Sequence, residues 1–167
     1  GGPGNDYITG GDGDDIISGG TDGQDSLYGG SGNDYIVAAD ANNDGIGSVL
    51  DGGAGANQLY ALVGSGNDYA VGGEGADIIA TGAGSDYVFA MDGNDTIVAG
   101  SGTDFIFSGA GNDFIYTDDT VTNSQDFVYV SGLGGFGTGV DTVADFTPGA
   151  GGDVAVILGT PGVTSFA

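Results

Sequence analysis

Six aspartates, Asp68, Asp77, Asp86, Asp95, Asp104 and Asp113, follow one another at intervals of nine residues. Two positions after each stands Ala70, Ile79, Val88, Ile97, Ile106 or Ile115 in turn. Nothing else in the chain limits its fold so strongly. A strict short period marks a repeat architecture, in which each unit buries its apolar side only against its neighbours. The unit starts at a glycine, as in Gly1-Gly2-Pro3-Gly4-Asn5-Asp6-Tyr7-Ile8-Thr9, and carries its aspartate at position six. Units with Asp15, Asp25 and Asp34 come next, the second of these with one extra residue. Residues 38–51 form a longer, degenerate unit containing Asp40, Asn43 and Asp44 in an ambiguous register. At 52–60 the period returns with Asn57 in place of aspartate, and Ala61 and Leu62 read as a short insertion. After Thr117 the pattern loosens, and Asp126-Phe127-Val128 is its last clear echo.

Positions seven to nine are β-prone and alternate in facing, so they predict a very short strand with position eight turned inward. Positions one to six hold the glycines, which permit positive φ and close backbone approach, and predict a turn. Two units then close one revolution of a flattened coil of about 18 residues. The expected fold is all-β: a right-handed parallel β-roll, or β-solenoid, with ions between its stacked turns. The expected divisions are a first block at 1–37, the degenerate unit at 38–51, a regular block at 52–116 and a cap at 117–167. Stacking places Asp6 near Asp25 and Asp15 near Asp34. It also puts Asp68, Asp86 and Asp104 on one edge, and Asp77, Asp95 and Asp113 on the other.

Charge makes that stacking a problem. The chain has 24 acidic residues and no Lys, Arg or His, a formal net charge of −24. Carboxylates stacked at sheet spacing with no cation in the sequence need a metal between them. The plain alternative is permanent disorder, since glycine and high net charge typify unfolded segments. Against it, 39% of the chain is apolar and regularly patterned. A calcium-free glycine-rich solenoid, with aspartate only capping turns, is the other alternative. The regular recurrence of the aspartates without a single basic residue speaks against that. Carboxylates and glycine carbonyls, with no sulfur and no imidazole, are hard oxygen donors suited to Ca²⁺. About ten such ions would offset most of the charge.

These residues resemble the RTX (repeats-in-toxin) family, whose nonapeptide reads G-G-x-G-x-D-x-U-x, with U large and apolar. The resemblance covers 1–37 and 52–116 well and 38–51 poorly. Val140-Asp141-Thr142-Val143-Ala144-Asp145-Phe146-Thr147-Pro148-Gly149 is similar to the segment that closes many such rolls. Family members usually continue with an acidic, Leu-rich stretch, faintly visible here as Asp153 to Leu158. The resemblance implies extracellular calcium binding and export by a type I secretion system. The implied ligands are Asp6, Asp15, Asp25, Asp34, Asp68, Asp77, Asp86, Asp95, Asp104 and Asp113, with carbonyls of glycines such as Gly11, Gly13, Gly73 and Gly75. Asn57 implies a weaker or altered site. At position one, Thr81, Ala90, Ala99 and Ser108 replace glycine, and Met91 replaces the second glycine. A backbone carbonyl survives such changes, so they are expected to weaken the pattern more than the site.

Catalysis is not expected. There is no His, Lys or Cys and a single glutamate, Glu74, so neither a usual acid–base pair nor an activated nucleophile is in view. A chain this acidic is a poor partner for nucleic acid or anionic lipid. No run of about 18 apolar residues exists to span a membrane as a helix. No signal peptide is visible, and because the chain opens inside a repeat it reads as a piece of something longer. Two roles remain: a structural segment of a surface layer, filament or large adhesin, or the secretion and folding module of an exoenzyme or toxin. Tyr69, Tyr87, Phe89, Phe105 and Phe107 form an exposed ladder on one face that suits self-association. Such a ladder also arises where aromatics merely stiffen a sheet.

Overall fold

A computed structural model of the chain describes residues 1–39, 45–117, 124–131, 139–146 and 152–158. The described residues are all-β, and every pairing between strands is parallel. Eight strands make the first sheet: Tyr7–Asp12, Ser26–Ser31, Val49–Ala54, Tyr69–Glu74, Tyr87–Asp92, Phe105–Gly109, Phe127–Ser131 and Val154–Leu158. Seven make the second: Ile16–Ser18, Tyr35–Ala39, Gln58–Val63, Ile78–Ala83, Thr96–Ser101, Phe114–Tyr116 and Thr142–Ala144. Successive strands of these two sheets alternate along the chain, with a short separate pairing of Gly2–Pro3 and Gly20–Asp22, so the chain winds as a parallel β-solenoid with two units per turn.

Register obeys the repeat. Val88 pairs with Ala70 on one side and Ile106 on the other, and Ile97 with Ile79 and Ile115. Position eight points inward throughout. Leu27, Leu50, Ala70, Val88, Ile106 and Val128 from the first sheet share one buried core with Ile17, Ile36, Leu59, Ile79, Ile97, Ile115 and Val143 from the second. Each fully buried Leu or Ile contributes about 1.5–3 kcal/mol.

The strands are longer than positions seven to nine predict. Tyr69–Glu74 and Tyr87–Asp92 each run six residues, into positions two and three of the next unit. Pairing skips position one and resumes, as in Met91↔Gly73 and Asp92↔Glu74. The turn therefore shrinks to positions four to six. Glycine at position two allows this, because Gly73 has φ +112 and a Cβ there would lie 1.8 Å from the Gly53 carbonyl oxygen. Only backbone without a side chain stacks so closely. Met91 is the exception at position two, holding φ 79.

Irregular units are absorbed without a break in either sheet. The degenerate stretch supplies a full strand, Val49–Ala54, paired with Ser26–Ser31 before it and Tyr69–Glu74 after it. Asp40, Asn43 and Asp44 lie outside the described residues. The extra residue near Thr21 is a register shift between the pairs Gly2↔Gly20 and Pro3↔Asp22. The insertion at Ala61 and Leu62 is another, between Val37↔Tyr60 and Ala39↔Val63.

Outward positions on the first sheet carry two aromatic columns. Tyr87, Phe105 and Phe127 stack with ring centroids 5.0 and 4.9 Å apart, and Phe89, Phe107 and Tyr129 at 4.7 and 4.5 Å. Tyr69 leans on Phe89 at 5.3 Å. Rather than folding over the ladder, Phe127–Ser131 extends it by one rung.

Candidate metal centre

Position six opens each strand, and parallel stacking threads these residues into two columns. Along the first, the backbone N–H of Asp6 donates to Asp25 Oδ1 at 3.0 Å, Asp68 to Asp86 at 2.8 Å, Asp86 to Asp104 at 2.8 Å and Asp104 to Asp126 at 2.9 Å. Asp126 N–H continues to Asp153 Oδ1 at 3.1 Å. Along the second, Asp15 donates to Asp34 at 2.9 Å, Asp77 to Asp95 at 2.9 Å, Asp95 to Asp113 at 3.0 Å and Asp113 to Asp141 at 3.1 Å. Both columns match the expected edges.

Two neutral residues bridge gaps in the columns. Asn57 Oδ1 accepts from Asp34 N–H, while its own N–H donates to Asp77 Oδ1. Ser48 plays the same part between Asp25 and Asp68, accepting at Oγ and donating from its N–H. Sequence reasoning missed Ser48 and did not place Asp126, Asp141 and Asp153 in the columns. A signal was present, since each is followed two residues later by Leu50, Val128, Val143 or Ala155.

Position five builds a parallel outer ladder. Side-chain oxygens of Asn5, Asp14, Asn33, Asn67 and Asn94 accept N–H bonds from Gln24, Asn33, Ala56, Ser85 and Asn112 of the next turn, at 2.8–3.1 Å. Turn amides that no sheet can satisfy are thereby paired at both positions.

The inner columns are closed off from water. Asp25, Asp34, Asp77, Asp86, Asp95, Asp104 and Asp113 are each at most 2% exposed, whereas Asp6 and Asp15 at the first turn are half-buried. One oxygen of each carboxylate belongs to the ladder. At Asp34, Asp77 and Asp95 the other is left over: Oδ2 is buried and accepts no hydrogen bond. Burial raises Asp77 from 3.8 to about 6 and Asp95 to about 7, against the opposing pull of the N–H bonds from Asn57 and Asp77. For Asp95 the charges of Asp113, Asp77 and Asp92 push the same way. Burial also raises Asp86, Asp113 and Asp141, and the charge of Asp141 adds to the rise at Asp113. A buried, under-bonded carboxylate is costly unless a cation meets it.

Position-one glycines let these oxygens approach closer than any side chain would allow. A Cβ on Gly29 would lie 2.2 Å from Asp34 Oδ2 and 2.5 Å from the Gly52 carbonyl oxygen. On Gly72 it would lie 2.5 Å from Asp77 Oδ2 and 2.6 Å from Ala90 O. Carboxylate and carbonyl oxygens thus converge from adjacent turns. A cation here would be held by carboxylates together with backbone carbonyl oxygens. Orphaned buried oxygens and an all-oxygen donor set fit Ca²⁺, which accepts six to eight oxygens in irregular geometry. Gly11, Gly13, Gly73 and Gly75 all hold φ between +106 and +116 on the stacked corners.

A parallel solenoid whose interior edges are two columns of aspartate defines a class of cation-dependent β-rolls. Within that class the chain belongs to the RTX calcium-binding nonapeptide repeat family, whose four-copy repeat model matches residues 1–22, 20–45, 48–65, 62–97 and 89–120. Members of this family bind Ca²⁺ through the repeat and are typically secreted, and the roll is a structural fold. No curated protein matches the chain significantly.

Proposed function

We propose that this chain is an extracellular structural module that folds only when calcium enters its two aspartate columns. The observation that carries the reading is the buried, under-bonded Oδ2 of Asp34, Asp77 and Asp95 in a chain with no basic side chain. Ligands are the position-six aspartates from Asp6 to Asp113, together with Asp126, Asp141 and Asp153 and carbonyls of the glycine corners. Asn57 and Ser48 mark weaker or altered sites. Adjacent aspartate pairs number five along the first column and four along the second. That capacity is close to the roughly ten ions expected from charge balance.

Without calcium, stacked carboxylates repel and the glycine-rich backbone keeps its entropy, so binding energy becomes folding energy. Such a chain stays threadable inside a cell and folds on reaching calcium outside, where modules of this kind bind at about 10⁻⁴–10⁻³ M. The module serves as building material of a surface layer, filament or large adhesin, and performs no catalysis. Supporting this are the absence of basic residues and the stacked aromatic face, through which Tyr69, Tyr87, Phe89, Phe105 and Phe107 meet another copy. Circular dichroism during a calcium titration tests the folding claim: β signal in excess chelator at neutral pH would end it. Electron microscopy in calcium tests the assembly claim. Lattices or filaments support it, whereas isolated monomers favour a folding module attached to an exoenzyme or toxin.

A further inference from the structure

Position one points into the roll beside the position-six aspartate, and its side chain changes along the chain. At Gly10, Gly29 and Gly72 it is absent. There the place a Cβ would take lies 2.4, 2.2 and 2.5 Å from Oδ2 of Asp15, Asp34 and Asp77. The same three places lie 2.7, 2.5 and 2.6 Å from the carbonyl oxygens of Gly29, Gly52 and Ala90, the position-one residues one turn further on. Two oxygens facing one small space repel unless a cation or a proton donor comes between them.

Further along the chain, a donor occupies that place. Thr81 Oγ1 donates to the carbonyl oxygen of Ala99 at 2.9 Å, and Ala99 is the position-one residue of the next turn. Thr117 repeats the bond, donating from Oγ1 to Asp145 O at 3.1 Å. Ser108 Oγ donates instead to the carboxylate of the next turn, reaching Asp141 Oδ2 at 3.2 Å. Thr81, Ser108 and Thr117 are all fully buried. Three hydroxyls thus donate to the kinds of oxygen that, at the glycine positions, crowd a gap too narrow for a Cβ, 2.2–2.7 Å from where one would stand.

We propose that a hydroxyl at position one takes the place of a calcium ion, so that the turns opened by Thr81, Ser108 and Thr117 close without one while those opened by glycine require it. The inference rests on the calcium-folded reading above and adds which turns hold ions. A hydroxyl carries no charge, so it replaces the ion as donor and as filler, not as countercharge. A roll built this way is polar along its axis. Its glycine turns, concentrated in residues 1–39, depend on calcium, and its hydroxyl turns, from Thr81 onward, hold at lower calcium. On this proposal, position-one substitutions bear on the site as well as on the pattern: the carbonyl survives them, but the gap beside it does not.

The test counts ions at saturation by equilibrium dialysis and metal analysis of the full chain. Thr81→Gly is expected to bind one more calcium per chain than the parent and to need more calcium to fold. Gly72→Thr is expected to bind one fewer. Unchanged counts in both variants overturn the inference while leaving the calcium-folded reading standing. If either variant fails to fold even in calcium, the count for the other decides. A parent chain that binds no calcium at all sinks the underlying reading instead.

Discussion

Residues 1–39 and residues 78–116 form the same kind of turn and hold it together differently. In the first region position one is glycine at Gly1, Gly10, Gly19 and Gly29, and Oδ2 of Asp15 and Asp34, beside Gly10 and Gly29, accepts no hydrogen bond. In the second, Thr81, Ala90, Ala99 and Ser108 fill that interior space, two of them with a hydroxyl already bonded across the turn. The outer faces differ in the same sense. Tyr7 and Tyr28 meet at a tilt of 41° and Tyr7 is 73% exposed, whereas Phe89 and Phe107 stack within 2° of parallel. The contrast motivates the proposal that a repeat can be closed by an ion from outside or by side chains of its own.

Calcium removal tests that contrast most severely. Excess chelator at neutral pH is expected to abolish the β signal in circular dichroism. At intermediate calcium, hydrogen exchange should open Ser26–Ser31 and Tyr35–Ala39 before Tyr87–Asp92 and Phe105–Gly109. Uniform exchange along the roll would break the comparison.

Acid should sharpen it. The folded-state pKa values of Asp77 and Asp95, about 6 and about 7, lie above the ordinary 3.8. The metal-free folded roll thus binds more protons than the unfolded chain, and its stability rises as pH falls through about 7 toward 3.8, where the gain is complete. In chelator, protection of Ile78–Ala83 and Thr96–Ser101, which come directly after these aspartates, is expected to be higher at about pH 4.5 than at about pH 8. With metal present the sign reverses, because protons compete for the ligands, and the calcium midpoint should rise as pH falls.

Core truncation is next in size. Ile106→Ala is expected to cost about 2–5 kcal/mol in urea unfolding at saturating calcium, since Ile106 is fully buried. Ile8→Ala, in the half-buried first turn, should cost well under that. Equal losses would show that the first turn is as tightly packed as the rest. The smallest effect belongs to the aromatic columns. Phe107→Leu keeps the apolar bulk but removes ring stacking on both sides, for a loss of about 0.5–1.5 kcal/mol. Tyr7→Leu is expected to change stability by less than the measurement error.

Much of this was legible in the sequence because a parallel roll turns sequence period into spatial register. Wherever spacing held at two strict units, Asp68, Asp86 and Asp104 could be assigned to one column by counting alone. Where loops changed length, counting failed. Asp25 reaches Ser48 across 23 residues, Asp104 reaches Asp126 across 22, and Asp113 reaches Asp141 across 28. Local propensity does not say how an insertion is absorbed, so the apolar residue two places after each tail aspartate and Ser48 did not assign it to a column, and only the hydrogen bonds did. The six-residue strands escaped for a related reason, since glycine at position two reads as a turn residue until the next turn of the roll stacks on it.

The period of nine, the inward apolar residue after each aspartate and the missing counter-charge are properties of composition and spacing. By themselves they determine a parallel calcium-binding roll. Tertiary structure alone decided which oxygens remain unsatisfied and what fills the space beside them. Both depend on the approach of Thr81 to Ala99, or of Gly72 to Ala90, one full turn apart. A local pattern does not specify contacts made across a revolution of the chain.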